Sequence, residues 1–334
     1  MNLYTTLKEL CLAHSISGRE TQIREVIKNK IEPLVDSVSA DALGNLIALK
    51  KGRTGEKRIM LCAHMDEIGF IVNFIEDNGL IRVAPIGGIN FVASAFSKMV
   101  SEKGVVGVLV PNARTKPEEF APDKMFIDIG ASSKAQAARK VKIGDSFMGA
   151  PDLYKLSGKR VAGRPIDDRV GCLVLLAVAE AIAKTELDAD VYFVFSVQEE
   201  VGCRGSMTAT YKIAPTESIC VDVTGTGDMP NSAPMACELG KGAAIKIKDR
   251  SVICHEEIVK ALDDIAKENK IPVQKEILLY GGTDTSSMQM IGNGSMAGAV
   301  SIPTRYIHSN VESCDMGDVE ASISLIEKYI LARG

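Results

Sequence analysis

The sequence has no tryptophan, and aromatic residues make up only 5% of its 334 residues. Long apolar runs are also missing: the longest, Cys172 to Ala179, is far shorter than the roughly 20 residues that a membrane-spanning helix needs. The chain has no run of lysine and arginine and a net charge of −4, so nothing predicts nucleic-acid binding. The opening residues MNLYTTLKELCLAH indicate an amphipathic helix and not a signal peptide. We therefore expect a cytoplasmic protein.

Paired cysteines are lacking as well. The eight cysteines are scattered without a CxxC pair, and most lie in apolar runs, such as Cys62 in IMLCAH and Cys220 in SICVDV. Cysteines of this kind are typical of small buried side chains in a reducing compartment. The sequence therefore predicts that other residue types carry the chemistry.

Hydrophobic residues at 46% and charged residues at 25% are typical of a globular enzyme. A chain of this length can form one large domain and a smaller one. Apolar strands such as VYFVFSV and SICVDV alternate with helical patterns over residues 168–184, 256–269 and 318–332. This alternation predicts an α/β fold with a mostly parallel sheet and helices on both faces.

The pattern changes between about residues 68 and 162. Short β-branched runs, FIVNFI, LIRVAPI, KGVVGVLV and KVKIGDSF, alternate there with glycine, proline and asparagine turn signals. This sequence pattern predicts a small β-rich unit inserted into the α/β domain. We assign residues 1–67 and 163–334 to the α/β domain and 68–162 to the insertion.

Histidines and acidic residues follow several predicted strands, where the sites of open α/β sheets gather. His64 and Asp66 come directly after the strand RIMLC, and their spacing of two puts both side chains on one side of an extended chain. A metal-bound imidazole usually donates its other N–H to a carboxylate or carbonyl, and Asp66 can fill that role. The alternative interpretation is a polar strand end exposed to solvent.

Two further motifs contain adjacent carboxylates. Asp167 and Asp168 open a helix, where one acidic cap is common but a pair is less so. Glu199 and Glu200 follow the apolar strand VYFVFS, where two carboxylates are costly unless they are exposed or bound. Because consecutive strand residues point to opposite sides, one glutamate can hold a metal while the other acts as general base.

Asp222 in SICVDVT and His308 in TRYIHSN complete the set. A lone aspartate or histidine is more often structural, but two of only four histidines fall in these motifs. Together the residues form a mixed nitrogen and oxygen ligand set, which suits zinc, cobalt or manganese. A shared carboxylate with two further ligands per ion is the usual arrangement of two-metal hydrolases.

The motifs AHMDEIGF, DDRVGC, VQEEVGCRG, CVDVT, GGTD and RYIHS resemble, in the same order, those of the dinuclear glutamyl/deblocking aminopeptidases. This family includes the tetrahedral aminopeptidases, and some members carry the name cellulase M. The resemblance covers essentially the whole chain and implies a zinc-peptidase-like fold with the insertion as a dimerisation domain. It implies an enzyme that removes N-terminal residues from short peptides, as a dimer or a tetrahedral dodecamer.

The resemblance also implies two divalent ions per chain, with zinc or cobalt favoured and manganese as an alternative. Five residues would bind them: His64, Asp167, Glu200, Asp222 and His308. Asp167 would bridge the two ions. His64 and Asp222 would complete one metal site, and the other two ligands would complete the second.

Two catalytic roles follow from the same resemblance. Glu199 would be the general base that takes a proton from a metal-bridging water and passes it to the departing amine. Asp66 would support His64 from behind, and the peptide bond between Asp167 and Asp168 would be cis. The chain departs from the family after GGTD, where TSSMQ replaces small residues, and at RPI before the aspartate pair. If the GGTD loop borders the substrate pocket, the first departure affects substrate preference.

Other functions compete with this interpretation. A two-metal carboxypeptidase or amide deacylase would use the same metal chemistry on a different substrate. A glycosidase needs two carboxylates and usually no metal, so it leaves His64 and His308 unexplained. A non-enzymatic scaffold predicts lost ligands, whereas all five and the base are present.

Overall fold

The computed structural model describes residues 1–334 and contains an α/β unit and a small β-barrel. The strands are β1 (Ser37–Ala40), β2 (Leu46–Lys50), β3 (Arg58–His64), β4 (Gly69–Ile75), β5 (Ile81–Ile86), β6 (Lys98–Ser101), β7 (Val106–Pro111), β8 (Met125–Asp128), β9 (Ser146–Gly149), β10 (Asp152–Lys155), β11 (Arg160–Arg164), β12 (Asp190–Ser196), β13 (Glu217–Thr224), β14 (Ala243–Lys248), β15 (Val273–Ile277), β16 (Met296–Arg305) and β17 (Glu312–Asp315). The α-helices are α1 (Leu3–Leu12), α2 (Thr21–Ile31), α3 (Phe91–Ser94), α4 (Lys134–Ala138), α5 (Arg169–Ile182), α6 (Arg204–Ile213), α7 (Glu256–Asn269), α8 (Thr285–Met290) and α9 (Met316–Arg333). No helix combines the length and apolar character that crossing a membrane requires.

The large sheet has 11 strands in the order β1-β2-β12-β3-β13-β16-β17-β11-β10, with β14 and β15 branching from β16. Its central strands β12, β3, β13 and β16 are parallel. The strands on both sides of this centre pair antiparallel, except that β14 and β15 of the branch are parallel to each other. The predicted α/β fold is confirmed, and its parallel strands lie at the centre of the sheet.

Helices cover both faces of the sheet, which is why the central strands are apolar on both sides. In β3, Ile59, Leu61 and Ala63 belong to the main core, where α1, α2, α5, α7 and α9 pack. The alternate residues Met60 and Cys62 belong to a smaller core that includes residues of α6 and α8. Successive side chains of a strand point to opposite faces of the sheet, so β3 packs against a layer of helices on each face.

The barrel closes through β4-β5-β8-β7-β6-β9 and has its own core around Phe70, Val83, Ile127 and Phe147. Its strands all lie within the predicted insertion 68–162. The short strand β10 of that range belongs to the large sheet instead, as does β11, which crosses the end of the range. The division into domains at 68 and 162 stays a prediction.

Five connections leave the same edge of the large sheet, because the carboxyl ends of parallel strands meet there. β3 ends at His64, and Asp222 lies near the end of β13. The loops that follow β11, β12 and β16 carry the remaining predicted ligands. The topology therefore directs all five to one place.

Candidate metal centre

His64 forms the first polar group at this edge. Its Nε2 atom lies 3.1 Å from Asp167 Oδ1 and 3.8 Å from Asp222 Oδ1. All three side chains are buried, and their ligand atoms lie within 4.8 Å of one another. This spacing is close enough for the three residues to hold one cation.

His308 forms the second group with Glu200 and Asp167. Its Nε2 atom lies 3.1 Å from Glu200 Oε2 and 3.3 Å from Asp167 Oδ2. Asp167 therefore turns one carboxylate oxygen toward each group. The structure brings together all five predicted ligands in the division that the resemblance implies, and their binding of metal stays a prediction.

The donor set of both groups fits divalent cations. Imidazole nitrogens and carboxylate oxygens are the ligands that zinc and similar borderline metals use together. The cluster places three carboxyl groups beside two imidazoles, so several buried acidic groups lie close together. Burial raises the pKa of Asp222 to about 8, and the nearby charge of Asp167 adds to the effect. Cations bound here would offset the repulsion between the buried carboxylates.

Asp66 supports both His64 and the loop beyond β12. His64 Nδ1 lies 3.1 Å from the Asp66 main-chain oxygen and 3.5 Å from its carboxylate. That carboxylate also accepts hydrogen bonds from Ser17 Oγ at 2.7 Å and from the backbone N–H groups of Glu199 and Glu200 at 3.0 and 3.2 Å. Asp66 thus connects one predicted ligand to the loop that carries another.

Glu199 lies beside the two ligand groups and belongs to neither. Its Oε1 atom accepts a hydrogen bond from Cys203 Sγ at 3.2 Å, and Asp284 lies close to both. Asp284 is buried and accepts hydrogen bonds from the hydroxyls of Ser196 and Ser206. Burial raises the pKa of Glu199 well above its usual value, and neighbouring carboxylates add to the effect.

Glu312 holds two of the predicted ligands in place and was not predicted from the sequence. Its Oε2 atom accepts the N–H groups of Ile166 and Asp167 at 2.6 and 3.0 Å. Its Oε1 atom accepts the N–H of His308 at 3.0 Å. Position was the only available signal, because Glu312 follows His308 by four residues and starts a short strand.

The motif of Asp167 and Asp168 had two interpretations, a metal ligand and a helix cap, and each applies to one of the two residues. Asp167 joins the ligand groups, whereas Asp168 caps α5 by accepting the N–H of Gly171 at 3.0 Å. Asp168 also accepts the N–H of His64 at 3.2 Å. The peptide bond between the two aspartates is cis, which confirms that prediction.

Four residues near the site adopt the left-handed backbone conformation without being glycine: Gln198 (φ 57°), Cys203 (φ 52°), Tyr306 (φ 62°) and His308 (φ 61°). Each such residue costs about 1–2 kcal/mol. The N–H of Gln198 donates to Glu20 at 3.2 Å, and that of His308 donates to Glu312. Side-chain acceptors thus hold strained backbone in place, as is common at functional sites.

A single cavity of about 750 Å³ opens onto the five predicted ligands and Glu199. Its acidic part is lined by His64, Asp167, Glu199, Glu200, Asp222 and His308. Another part of its wall consists of loops that include Arg250, Ser251, Leu278 and the glycines of GGTD. Ser286 also lines the cavity and belongs to the segment TSSMQ, in α8, where the sequence departs from the family.

Comparison with known proteins identifies relatives over most of the chain. The family model of the M42 glutamyl aminopeptidases matches residues 44–325. A putative aminopeptidase of Acetivibrio thermocellus is 43% identical and covers 98% of both chains. The lysyl aminopeptidase of Pyrococcus furiosus is 34% identical, covering 97% of this chain and 95% of its own. The glutamyl aminopeptidase of Lactococcus lactis is 28% identical, covering 93% and 90%.

Solved structures show the same fold. An aminopeptidase of Desulfurococcus kamchatkensis is 34% identical with a TM-score of 0.93, covering 98% of this chain and 94% of its own. The TET1 peptidase of Pyrococcus horikoshii is 33% identical with a TM-score of 0.89, covering 98% and 99%. An endoglucanase of Thermotoga maritima is 36% identical with a TM-score of 0.82, covering 97% and 96%. The match over most of the chain shows that this protein belongs to the M42 glutamyl aminopeptidase family.

Proposed function

We propose that this protein is a two-metal aminopeptidase that removes N-terminal residues from short peptides. The observation that carries the proposal is the pair of ligand groups that share Asp167, with Glu199 beside them in one cavity. Family membership supports the same function. The two histidines at the centre of the cluster argue against a glycosidase, which would need only carboxylates.

The ligand groups assign residues to two cations. His64 and Asp222 would hold one cation, and Glu200 and His308 would hold the other. Asp167 would contribute a ligand to both cations. The mixed donor set favours zinc or cobalt, with manganese as an alternative. Two such ions act as Lewis acids that polarise a carbonyl and make a water acidic enough to ionise near neutral pH.

The protein's own residues carry the proton transfer. Glu199 is placed to accept the proton of the attacking water and to donate it to the departing amine. Its raised pKa suits this exchange, because a general base works best when its pKa lies near the working pH. Asp66 positions this glutamate through the backbone N–H of Glu199 and positions His64 on the other side.

We further propose that the barrel forms dimers and that dimers assemble into a tetrahedral dodecamer. The TET1 peptidase of Pyrococcus horikoshii assembles into a tetrahedron or a large octahedral shell, which supports this proposal. The barrel exposes large apolar side chains at Phe74, Phe96 and Val106. Light scattering on the intact chain and on a Phe96→Asp variant tests the assembly. A monomer at micromolar concentration would contradict it.

The eight cysteines are unpaired, in agreement with the reducing cytoplasm that we propose as the location. Fractionation of cells that produce the untagged protein tests this placement.

A panel of aminoacyl-p-nitroanilides with N-acetylated copies tests the activity. We expect chelator-treated protein to be inactive, and zinc or cobalt to restore cleavage of the free-amine substrates only. Cleavage of the acetylated copies would identify a deacylase or endopeptidase. If two metals bind and no substrate of the panel is cleaved, the aminopeptidase proposal is wrong, and carboxypeptidase substrates are the next assay.

A further inference from the structure

The two groups of predicted metal ligands carry their histidines on different kinds of backbone. His64 is the last residue of β3, at the centre of the sheet, and its side chain is only 2% exposed. His308 lies in the loop between β16 and β17, residues 306–311, and its side chain is 33% exposed. Side chains on strands are held more precisely than side chains on loops. The second group therefore depends on contacts that hold the His308 loop in place.

Arg164, the last residue of β11, provides such contacts. Its Nη1 atom donates to the Ser309 carbonyl at 3.3 Å and lies 3.5 Å from Asn310 Oδ1. Its Nη2 atom donates to Glu67 Oε2 at 3.0 Å and to the Ile68 carbonyl at 3.4 Å. One guanidinium thus connects the His308 loop to the segment that joins β3 to β4.

The charge of Arg164 is balanced within the chain. Arg164 is 5% exposed and Glu67 is 1% exposed, and a buried ion pair of this kind is tolerated only with good geometry and further hydrogen bonds. Glu67 also has a second cationic partner, because Arg169 Nη2 lies 3.7 Å from its other oxygen. Balancing Glu67 therefore does not account for the contact of Arg164 Nη1 with the His308 loop. The planar guanidinium can serve both sets of acceptors at once, which a lysine ammonium cannot do in the same geometry.

The barrel packs against the same arginine and against the same ligand. A β-carbon on Gly149, in β9, would lie 2.6 Å from Arg164 Nη1, so the guanidinium rests directly on the main chain of that strand. A β-carbon on Gly88, in the loop after β5, would lie 3.0 Å from His308 Nδ1. These close approaches confine both side chains between the barrel and the α/β unit.

We propose that Arg164 is a positioning residue that holds the His308 loop in place for the second cation. The affinity for the cation of Glu200 and His308 depends on the Arg164 guanidinium, whereas the affinity for the cation of His64 and Asp222 does not. The inference rests on the proposed two-metal function and adds no ligand to it.

Cobalt binding to variants that retain one site each tests the proposal without an activity assay. Asp222→Asn leaves the site of His308, and Glu200→Gln leaves the site of His64. Adding Arg164→Lys to Asp222→Asn should weaken cobalt binding by roughly 10- to 100-fold, the range for residues that orient a metal ligand. Adding it to Glu200→Gln should leave the affinity unchanged, because lysine retains the positive charge beside Glu67. Equilibrium dialysis with elemental analysis measures both affinities.

Two further variants complete the test. Arg160→Lys makes the same exchange at a partly exposed position of β11, where Asp315 lies 3.9 Å away, and should change neither affinity. Asn310→Ala changes a half-buried loop residue whose amide donates to the Ala93 carbonyl of the barrel at 2.8 Å. It should weaken the site of His308 by roughly two- to tenfold, the range of one hydrogen bond, and it decides the question if Arg164→Lys does not fold.

Each contrary result has a separate meaning. If the wild type binds two ions and neither Arg164→Lys nor Asn310→Ala weakens the site of His308, the inference is wrong and the aminopeptidase proposal is unaffected. Equal weakening of both sites by Arg164→Lys would show a general structural role and would also overturn the inference. A wild type that binds fewer than two ions would overturn the two-metal function itself, together with the role of Arg164.

Discussion

The two ends of β13 carry acidic residues in opposite electrostatic surroundings. At its start, Glu217 accepts hydrogen bonds from Tyr329 Oη at 2.7 Å and Arg333 Nε at 3.0 Å. Lys57 adds an ion pair at 2.9 Å. Burial alone would raise the pKa of Glu217, but these partners outweigh it and hold that pKa below its usual value. Toward the end of the strand, burial raises the pKa of Asp222 to about 8.

This difference separates structural charge from functional charge. The charge of Glu217 is balanced by partners that the fold supplies, so it contributes to stability in the isolated chain. The positive charges near Asp222, those of His64 and Lys246, do not outweigh burial and the charge of Asp167, so its balance depends on a ligand from outside. A buried carboxylate whose partners in the chain do not offset its burial is therefore the better indicator of a binding site.

The largest effect is expected at the catalytic end. Glu199→Gln should lower kcat by roughly 10²- to 10⁴-fold, because it removes the general base. The metal content should remain at two ions per chain, measured by elemental analysis beside the rate. Glu268→Gln, an exposed change on α7, is the matched control. Loss of one ion together with activity would show that Glu199 is a ligand and not the base.

Metal binding should stabilise the end of the sheet that the fold leaves unbalanced. Each filled site contributes about 2.7 kcal/mol to the free energy of unfolding when free metal is one hundred times its Kd. Asp222→Asn should lose the contribution of one site. Calorimetry of chelator-treated and zinc-loaded protein measures the difference. Equal zinc stabilisation of variant and wild type would exclude Asp222 as a ligand.

Removing the charge of Glu217, at the start of β13, should lower stability and leave catalysis unchanged. Glu217→Gln removes the charge that Arg333 and Lys57 share, and we expect a loss of about 1–3 kcal/mol in denaturant unfolding. These partners remain about one-third exposed, at 30% and 33%, which limits the penalty. The kcat per folded molecule should match the wild type. A selective loss of kcat would mean that the two ends of β13 are coupled.

The pH dependence of unfolding should also distinguish Glu217→Gln from the wild type. The pKa of Glu217 is lower in the folded chain than in the unfolded one, so its stabilisation is complete above the ordinary glutamate range. It is lost as pH falls through the folded pKa, with a slope of at most about 1.4 kcal/mol per pH unit. Below pH about 4.3, the free energy of unfolding of the metal-free protein should therefore change less with pH in Glu217→Gln than in the wild type. Identical slopes would contradict the assignment.

The smallest effect concerns the orientation of Glu199. Cys203→Ala removes the thiol that donates to Glu199 and should lower kcat by about two- to fivefold, because a thiol is a weak donor. Cys203→Ser keeps a donor and should recover most of the rate. Equal rates for the alanine and serine variants would show that the hydrogen bond does not position the base.

The fold was predictable where the pattern was local and strong. Continuous apolar runs marked β12 and β13 as strands buried on both faces, and the texture change near residue 68 marked the β-rich unit. The antiparallel edges were not predictable, because β10 and β17 are four residues long and have no pattern of their own. Closure of the barrel depends on pairings such as β4 with β9, far apart in the chain.

The sequence by itself determined the residue types of the site and their order, because strand ends and motif spacings are local properties. Only the tertiary structure decided that Glu312 holds the backbone N–H groups of Asp167 and His308. It alone also showed that Asp66 accepts the N–H groups of Glu199 and Glu200, 133 and 134 residues away. Contacts across such separations depend on how the whole chain packs and leave no periodic pattern in the sequence.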